Sequence, residues 1–242
     1  MMDAVAEHSH HYDTAPGVGE TDVFDAAFWD ARYASAPAIW SGEPNPQLVA
    51  EVAELTPTTA LDVGCGEGAD AVWLAEHGWQ VTALDISRVA LERAAGHARA
   101  AGPEVAQRIT WQQADLTEGA TLTDTYGLVS AQFMQLSPPQ RDDLYRALAV
   151  LVADGGTLLV VGHHPSDLET AAHLRPHCPE LMFTPDDIAG LLEPHDWQIV
   201  TAEARRRSVI DGDGRDIDVQ DAVLVARRAS TPEPSRPGST GF

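Results

Sequence analysis

Short apolar runs alternate with helical stretches along most of this chain. Phe24, Phe28, Trp29 and Tyr33 recur at one-turn spacing and predict a short amphipathic helix. Asn45 before Pro46 caps a second helix that runs through Leu48, Val49, Val52 and Leu55. Ala60 to Val63 reads as a strand, followed by three glycines at alternate positions and a helical run from Ala69 to His77 closed by Gly78. Gln80 to Leu84 is a second strand ending in Asp85, and Ser87 caps a helix from Arg88 to about Ala101, stopped by Gly102-Pro103. Ile109 to Gln113 and Gly127 to Gln132 are the next strands. Ser137-Pro138-Pro139-Gln140 has the form of a capping box opening a helix to Val152. Asp154-Gly155-Gly156 turns the chain into a buried strand, Thr157 to Val161, and Thr184 caps a helix through Leu192. Trp197 to Ala202 and Ala222 to Ala226 close the series. Strands alternating with helices predict an α/β fold: a mostly parallel sheet with helices on both faces.

One domain accounts for this pattern, over residues 21–228. Residues 1–20 carry His8, His10, His11, Pro16, Gly17 and Gly19 with few apolar anchors and read as a flexible arm; residues 229–242, rich in Ser, Thr and Pro, read as a disordered tail.

In such sheets ligands bind beyond the carboxyl ends of the strands. The segment Leu61-Asp62-Val63-Gly64-Cys65-Gly66-Glu67-Gly68 is a strand, a glycine turn and a helix start, where backbone amides face a ligand. Asp85, Asp115 and Gln132 to Met134 fall at the carboxyl ends of the following strands. Four strands delivering polar groups to one edge carry more weight than any single motif.

Charge narrows the partners. Fifteen Lys and Arg stand against 37 Asp and Glu, a formal net charge of −22, which repels nucleic-acid backbones and anionic membranes. The basic clusters Arg205-Arg206-Arg207 and Arg227-Arg228 read as solvated strand ends. No apolar run is long enough to span a membrane, and the acids near the start do not resemble a signal peptide, so a cytoplasmic location is expected. Cys65 and Cys178, the two cysteines, make no disulfide framework, and Cys65 reads as packing rather than as a nucleophile. His173, His177 and Cys178 lack a convincing metal-ligand spacing, and no metal is expected.

Asp85 suits the two hydroxyls of a ribose, and Asp115 suits an adenine amino group. A nicotinamide dinucleotide would favour Gly-x-Gly-x-x-Gly and no acid just before it. Here Asp62 stands two residues before Gly64, a poor neighbour for a diphosphate and a good one for an ammonium group.

These segments resemble the class I S-adenosylmethionine-dependent methyltransferases. Trp29-x-x-Arg32-Tyr33 and Trp40-Ser41-Gly42-Glu43-Pro44-Asn45 are similar to the subgroup of tellurite-resistance and thiopurine-type small-molecule enzymes. The resemblance covers Asp25 to Arg228 and implies a Rossmann-like sheet of seven strands with an antiparallel last strand. It implies S-adenosylmethionine as cofactor, with Asp62, Gly64, Cys65 and Gly66 at its methionine end, Asp85 on the ribose and Ile86 on the adenine face. Asp115 and Leu116 would take the adenine edge, Gln132 and Phe133 would lie beside the sulfonium, and Trp40 would cover the cofactor. Gly127, where relatives often carry an acid, and Gln135, near where they often carry a histidine, depart from the family pattern.

Methyl transfer from a sulfonium is an in-line displacement that positioning alone can accelerate strongly. His163 and His164, after the fifth strand, are the candidate general bases for an acceptor that must lose a proton. Arg32 and Tyr33 are the candidate substrate-binding residues, with a small-molecule acceptor. A nicotinamide-dependent oxidoreductase and a non-catalytic S-adenosylmethionine-binding protein are the alternatives.

Overall fold

The computed structural model describes residues 24–117, 122–172, 179–210 and 213–230. The expected N-terminal arm and nearly all of the expected tail lie outside these residues, as do His173, His177 and Cys178.

Seven strands form one sheet: β1 (Thr59–Val63), β2 (Gln80–Asp85), β3 (Ile109–Gln113), β4 (Tyr126–Gln132), β5 (Val152–His163), β6 (Trp197–Ile210) and β7 (Asp216–Arg228). Their spatial order is β3-β2-β1-β4-β5-β7-β6. The pairs among β1 to β5 are parallel, and β7 runs antiparallel to both β5 and β6. The helices are α1 (Ala26–Ala34), α2 (Pro46–Val52), α3 (Ala69–Glu76), α4 (Arg88–Ala101), α5 (Pro103–Gln107), α6 (Pro138–Val150), α7 (Asp167–Thr170) and α8 (Pro185–Ala189).

Alternate strand residues go to opposite faces, and the burial follows that period of two. Leu61, Val63, Val129, Leu158, Val160 and Leu224 pack into one core. Ala60, Leu128, Leu159, Val161, Val223 and Val225 pack into the other. A sheet buried on both faces needs continuous apolar strands, which is what β4, β5 and β7 supply. Order reverses between β2-β1 and β4, so the crevice at the carboxyl ends of β1 and β4 is the switch point of the sheet.

Several expectations need correction. The last two strands are far longer than read: β6 holds Arg205, Arg206 and Arg207 within its ladder rather than at its end, whereas Arg227 and Arg228 do close β7 as expected. β5 begins at Val152 and passes through the Asp154-Gly155-Gly156 segment, with a register irregularity opposite Tyr126 and Leu128 absorbing the extra residues. Gly102-Pro103 stops α4 but also starts α5, because proline suits the first position of a helix. Ser137 precedes α6 without capping it: its hydroxyl donates to the Gln140 side chain at 2.8 Å instead of accepting from the backbone. Helix α6 ends at Val150 and α8 at Ala189, each earlier than the pattern suggested. The Thr184 capping box is present, with Asp187 as its reciprocal partner.

Candidate active site

β1 delivers the centre of the site. Gly64, Gly66 and Gly68 all have positive φ (69°, 52° and 84°), a region that costs a side-chain-bearing residue about 1–2 kcal/mol. Space forbids side chains as well. A Cβ on Gly64 would meet the Met134 sulfur at 2.6 Å, and one on Gly66 would meet the Tyr33 hydroxyl at 2.9 Å. The turn therefore presents bare backbone to a cavity of about 1360 Å³ that spans the carboxyl edge of the sheet.

Gly68 has no side chain to cap α3. Asp62 supplies that function from the strand below by accepting the Ala71 amide. It is 2% exposed, its Oδ2 has no partner, and it does not line the cavity. Burial above all, then the nearby Asp70 and Asp85 charges, push its carboxyl well above the ordinary range. Direct contact of Asp62 with a ligand is thus corrected to a place behind the turn. Asp70, in the first turn of α3, lines the cavity in its stead. Its Oδ1 accepts from the Asn45 amide at 2.6 Å and its Oδ2 from the Gln132 amide at 2.8 Å. Burial raises its pKa to about 6.

Asp85 closes the other side of the turn. Its Oδ2 accepts from the Gly66 amide and its Oδ1 from the Ser87 amide, both at 2.8 Å. Each oxygen keeps a lone pair, so two adjacent ligand hydroxyls can still be accepted. Burial raises its carboxyl pKa, against the lowering effect of these amides. Ser87 caps α4 and also donates to Asp30 of α1 at 2.6 Å, docking the N-terminal helix over the site. Ile86, Asp115 and Leu116 line the cavity beyond. The Asp115 carboxylate turns toward its own loop, accepting the Thr117 amide at 2.8 Å and hydroxyl at 2.6 Å.

The roof is the segment before α2. Buried Glu67 accepts the Ile39 and Trp40 amides, each at 3.1 Å, and pairs with Arg93 at 2.8 Å. Arg93 also donates to the Ala36 carbonyl at 2.7 Å. Trp40 is thereby held over Gly66, its indole N–H donating to the Tyr33 hydroxyl at 3.1 Å. Tyr33 lines the cavity at the glycine turn, and burial raises its pKa. Arg32 does not line the cavity; its guanidinium lies 5.9 Å from the Trp40 ring and backs the roof. Cys65 is a free, half-buried thiol with its pKa pushed far up by burial, as packing requires.

Gln132 and Phe133 sit at the carboxyl end of β4. Gln132 Nε2 donates to Asp70 and, at 3.1 Å, to Ser130, while its Oε1 is buried without a partner. Phe133 adopts φ of 50°, and its amide donates to Val161 at 2.8 Å. Positive φ at a bulky residue is strain held by its surroundings, a feature that gathers at working sites. The His163 ring lies 4.7 Å from Phe133 and the Arg207 guanidinium 5.8 Å from it. His163 is buried and lines the cavity. His164 does not: its Nδ1 accepts from the Ser166 amide at 3.2 Å, fixing the loop before α7, so its candidacy as a base is withdrawn.

Two lining residues were missed. Asp70 looks like an ordinary acid in a first helical turn, and only the register of β4 brings Gln132 to it. Arg207 was assigned to solvent, yet it lies on β6 with its Nε on Asp221 at 2.7 Å. The run of three arginines conceals which one faces inward.

A sheet of this order with a glycine turn at its switch point is a Rossmann-like fold. Residues 60–156 match the family described as a methyltransferase domain. Methyltransferase GfsG of Streptomyces halstedii is 29% identical over 166 residues, 66% of this chain and 59% of that protein. The 2-heptyl-1-hydroxyquinolin-4(1H)-one methyltransferase of Mycobacteroides abscessus is 27% identical over 146 residues, 58% of this chain and 63% of that one. The chain thus spans about three-fifths of the length of these two relatives. Among solved structures, TehB from Haemophilus influenzae superposes with a TM-score of 0.61 at 17% identity, over 84% of this chain and 66% of that one. A structure described as "Conversion of a Disulfide Bond into a Thioacetal Group during Echinomycin Biosynthesis" superposes with a TM-score of 0.66 at 22% identity, over 86% and 93%.

Proposed function

We propose that the protein transfers a methyl group from S-adenosylmethionine to a small-molecule acceptor. The observation that carries this reading is the set of acids around the glycine turn. Asp62, Asp70 and Asp85 are held together in or behind one cavity wall with raised pKa values, and Asp62 Oδ2 and Gln132 Oε1 are buried without partners. Such a wall is costly until a cation neutralises it. An ammonium group at Asp70, a ribose at Asp85 and a flat ring between Ile86, Leu116 and the Asp115 turn fit the residues present. When bound, S-adenosylmethionine would supply an electrophilic methyl on a sulfonium with a neutral leaving group.

The chain's own part is placement and exclusion of water. The Gly64 and Gly66 backbone would carry the amino-acid end and Trp40 with Tyr33 would cover it. Phe133 would bound the space in which the acceptor meets the methyl. His163, at the same wall, would take the proton from a hydroxyl acceptor; a thiolate or neutral nitrogen acceptor would not require it. A free thiol at Cys65 suits a reducing cytoplasmic setting. No described helix is long and apolar enough to cross a membrane. Neither the oxidoreductase nor the non-catalytic reading gains support from the relatives, which are named as methyltransferases.

Calorimetric titration with S-adenosylmethionine and S-adenosylhomocysteine, followed by a labelled-donor screen over phenols, thiols and heterocycles, tests the proposal. Saturable binding of both and transfer to at least one acceptor are expected. Failure of both to bind would end it.

A further inference from the structure

The cavity wall opposite the glycine turn contains a cation with part of its hydrogen-bonding capacity unspent. Arg207 is the single Lys or Arg among the described lining residues; the other formally charged ones are acids, including Asp70, Asp85, Glu180 and Asp216. Its side chain is 13% exposed. Nε is committed to Asp221, which is fully buried and receives the Gln47 side-chain amide at 3.1 Å as well. The plane of the guanidinium is fixed by this pair and by Phe133. Nη2 is buried and has no partner, and neither has Oδ1 of Asp221. Phe133, Met134, Leu181, Val209 and Ile210 line the same cavity, with Ser208 as a polar neighbour.

A buried guanidinium N–H without an acceptor in the protein is an expensive arrangement. The cost disappears if an oxygen arrives with the ligand. We infer that Arg207 is the acceptor-anchoring residue: the exposed part of its guanidinium donates to a carbonyl, phenolate or carboxylate oxygen of a planar, largely apolar acceptor lying against Phe133. This inference rests on the methyltransferase reading for the word acceptor, though not for the presence of the oxygen-binding group. Arg207 anchors and does not activate, because a lone pair held by a guanidinium is less available to attack a methyl carbon. The anchored oxygen is therefore distinct from the atom methylated. Asp221 is a positioning residue that sets the direction of the fork, and the acidic remainder of the cavity excludes molecules with several negative charges.

The test uses the full chain and three matched probes, 2-naphthoate, 2-naphthamide and 2-naphthylmethylamine, titrated by calorimetry with and without saturating S-adenosylhomocysteine. The two oxygen-bearing probes are expected to bind and the amine to bind at least ten-fold more weakly. Arg207→Gln and Arg207→Met should each weaken 2-naphthoate at least ten-fold while leaving S-adenosylhomocysteine affinity within two-fold. Arg207→Lys retains the charge beside Asp221 but replaces the planar fork by a single nitrogen; it guards against loss of fold and should also weaken 2-naphthoate. Equal affinity of 2-naphthoate for the wild type and a folded Arg207 variant would overturn the assignment. So would preference for the amine, or failure of every probe to bind the wild type. Failure of S-adenosylhomocysteine alone would remove the methyltransferase reading, and the naphthoate series would still report on Arg207.

Discussion

Removing the Glu67 carboxylate should open the roof of the cavity without disturbing the sheet. In the structure this one side chain accepts two backbone amides, from Ile39 and Trp40, and the Arg93 guanidinium, and it is 5% exposed. Hydrogen bonds to a charged group contribute about 1.5–3 kcal/mol each, and they are not additive within one cluster. Arg93 keeps the Ala36 carbonyl, which limits the loss. Glu67→Ala should therefore destabilise the closed roof by about 2–4 kcal/mol, which corresponds to a roughly 30- to 1000-fold shift in the opening equilibrium. Hydrogen exchange read by mass spectrometry over residues 36–45 measures it directly, with peptides from β4 and β5 as internal controls. S-adenosylhomocysteine affinity should fall in parallel, by the fraction of molecules that are closed. Unchanged exchange over 36–45 in a folded Glu67→Ala protein would show that the latch does not hold the roof, whatever the cofactor.

Other expectations concern the acids and the histidines. Asp70 has a folded pKa of about 6 against an ordinary 3.8, so its contribution to stability is fully present below pH 3.8 and lost as pH rises through 6. The ligand-free protein should accordingly melt at a higher temperature at pH 5.5 than at pH 7.5, and a flat or opposite trend in calorimetry would count against the buried acid wall. An ammonium-bearing ligand needs the ionised form, so S-adenosylhomocysteine should bind more weakly below pH 6 than at pH 7.5. His163→Ala should reduce methyl transfer to a hydroxyl acceptor in a labelled-donor assay by about 10²-fold or more, whereas His164→Ala should stay within about two-fold of the parent; equal effects would undo the distinction drawn from the cavity. Gly66→Ala should weaken S-adenosylhomocysteine binding about ten-fold or more, given strain of about 1–2 kcal/mol at φ of 52° and the 2.9 Å approach to Tyr33; a titration with unchanged affinity would place the ligand elsewhere.

Most of the glycine-turn side of the cavity was readable because its residues stand at local signals, Asp70 excepted. Gly64, Gly66, Asp85 and Asp115 follow directly from apolar runs of strand length, so their position at one edge needs only the parallel order of β1 to β3. Asp62 was misplaced by one layer, because strand alternation fixes the face of a residue and not whether the turn above leaves it reachable. The opposite side of the cavity, around Arg207, depends on β6 and β7, whose charged residues hide ladders of 14 and 13 residues. Pairing of Arg207 with Asp221 is a cross-strand contact 14 residues apart, and no local pattern distinguishes it from a solvated charge. The two histidines are adjacent in sequence and part company only because the ladder of β5 ends at His163.

The carboxylate of Asp85 joins the glycine turn after β1 to the head of α4 through the Gly66 and Ser87 amides, at the position offered to a ribose. If a ribose binds there as proposed, folding and ligand recognition draw on the same two oxygens. A substitution there removes a structural tie and a binding group together, so the nucleoside end has little freedom to drift over generations. Arg207, Val209 and Ile210 lie on a strand at the far edge of the sheet, where side chains can be exchanged without touching that tie. Under the proposed function, such a division would let one donor-binding frame be kept while the outer hairpin is altered to suit different acceptors.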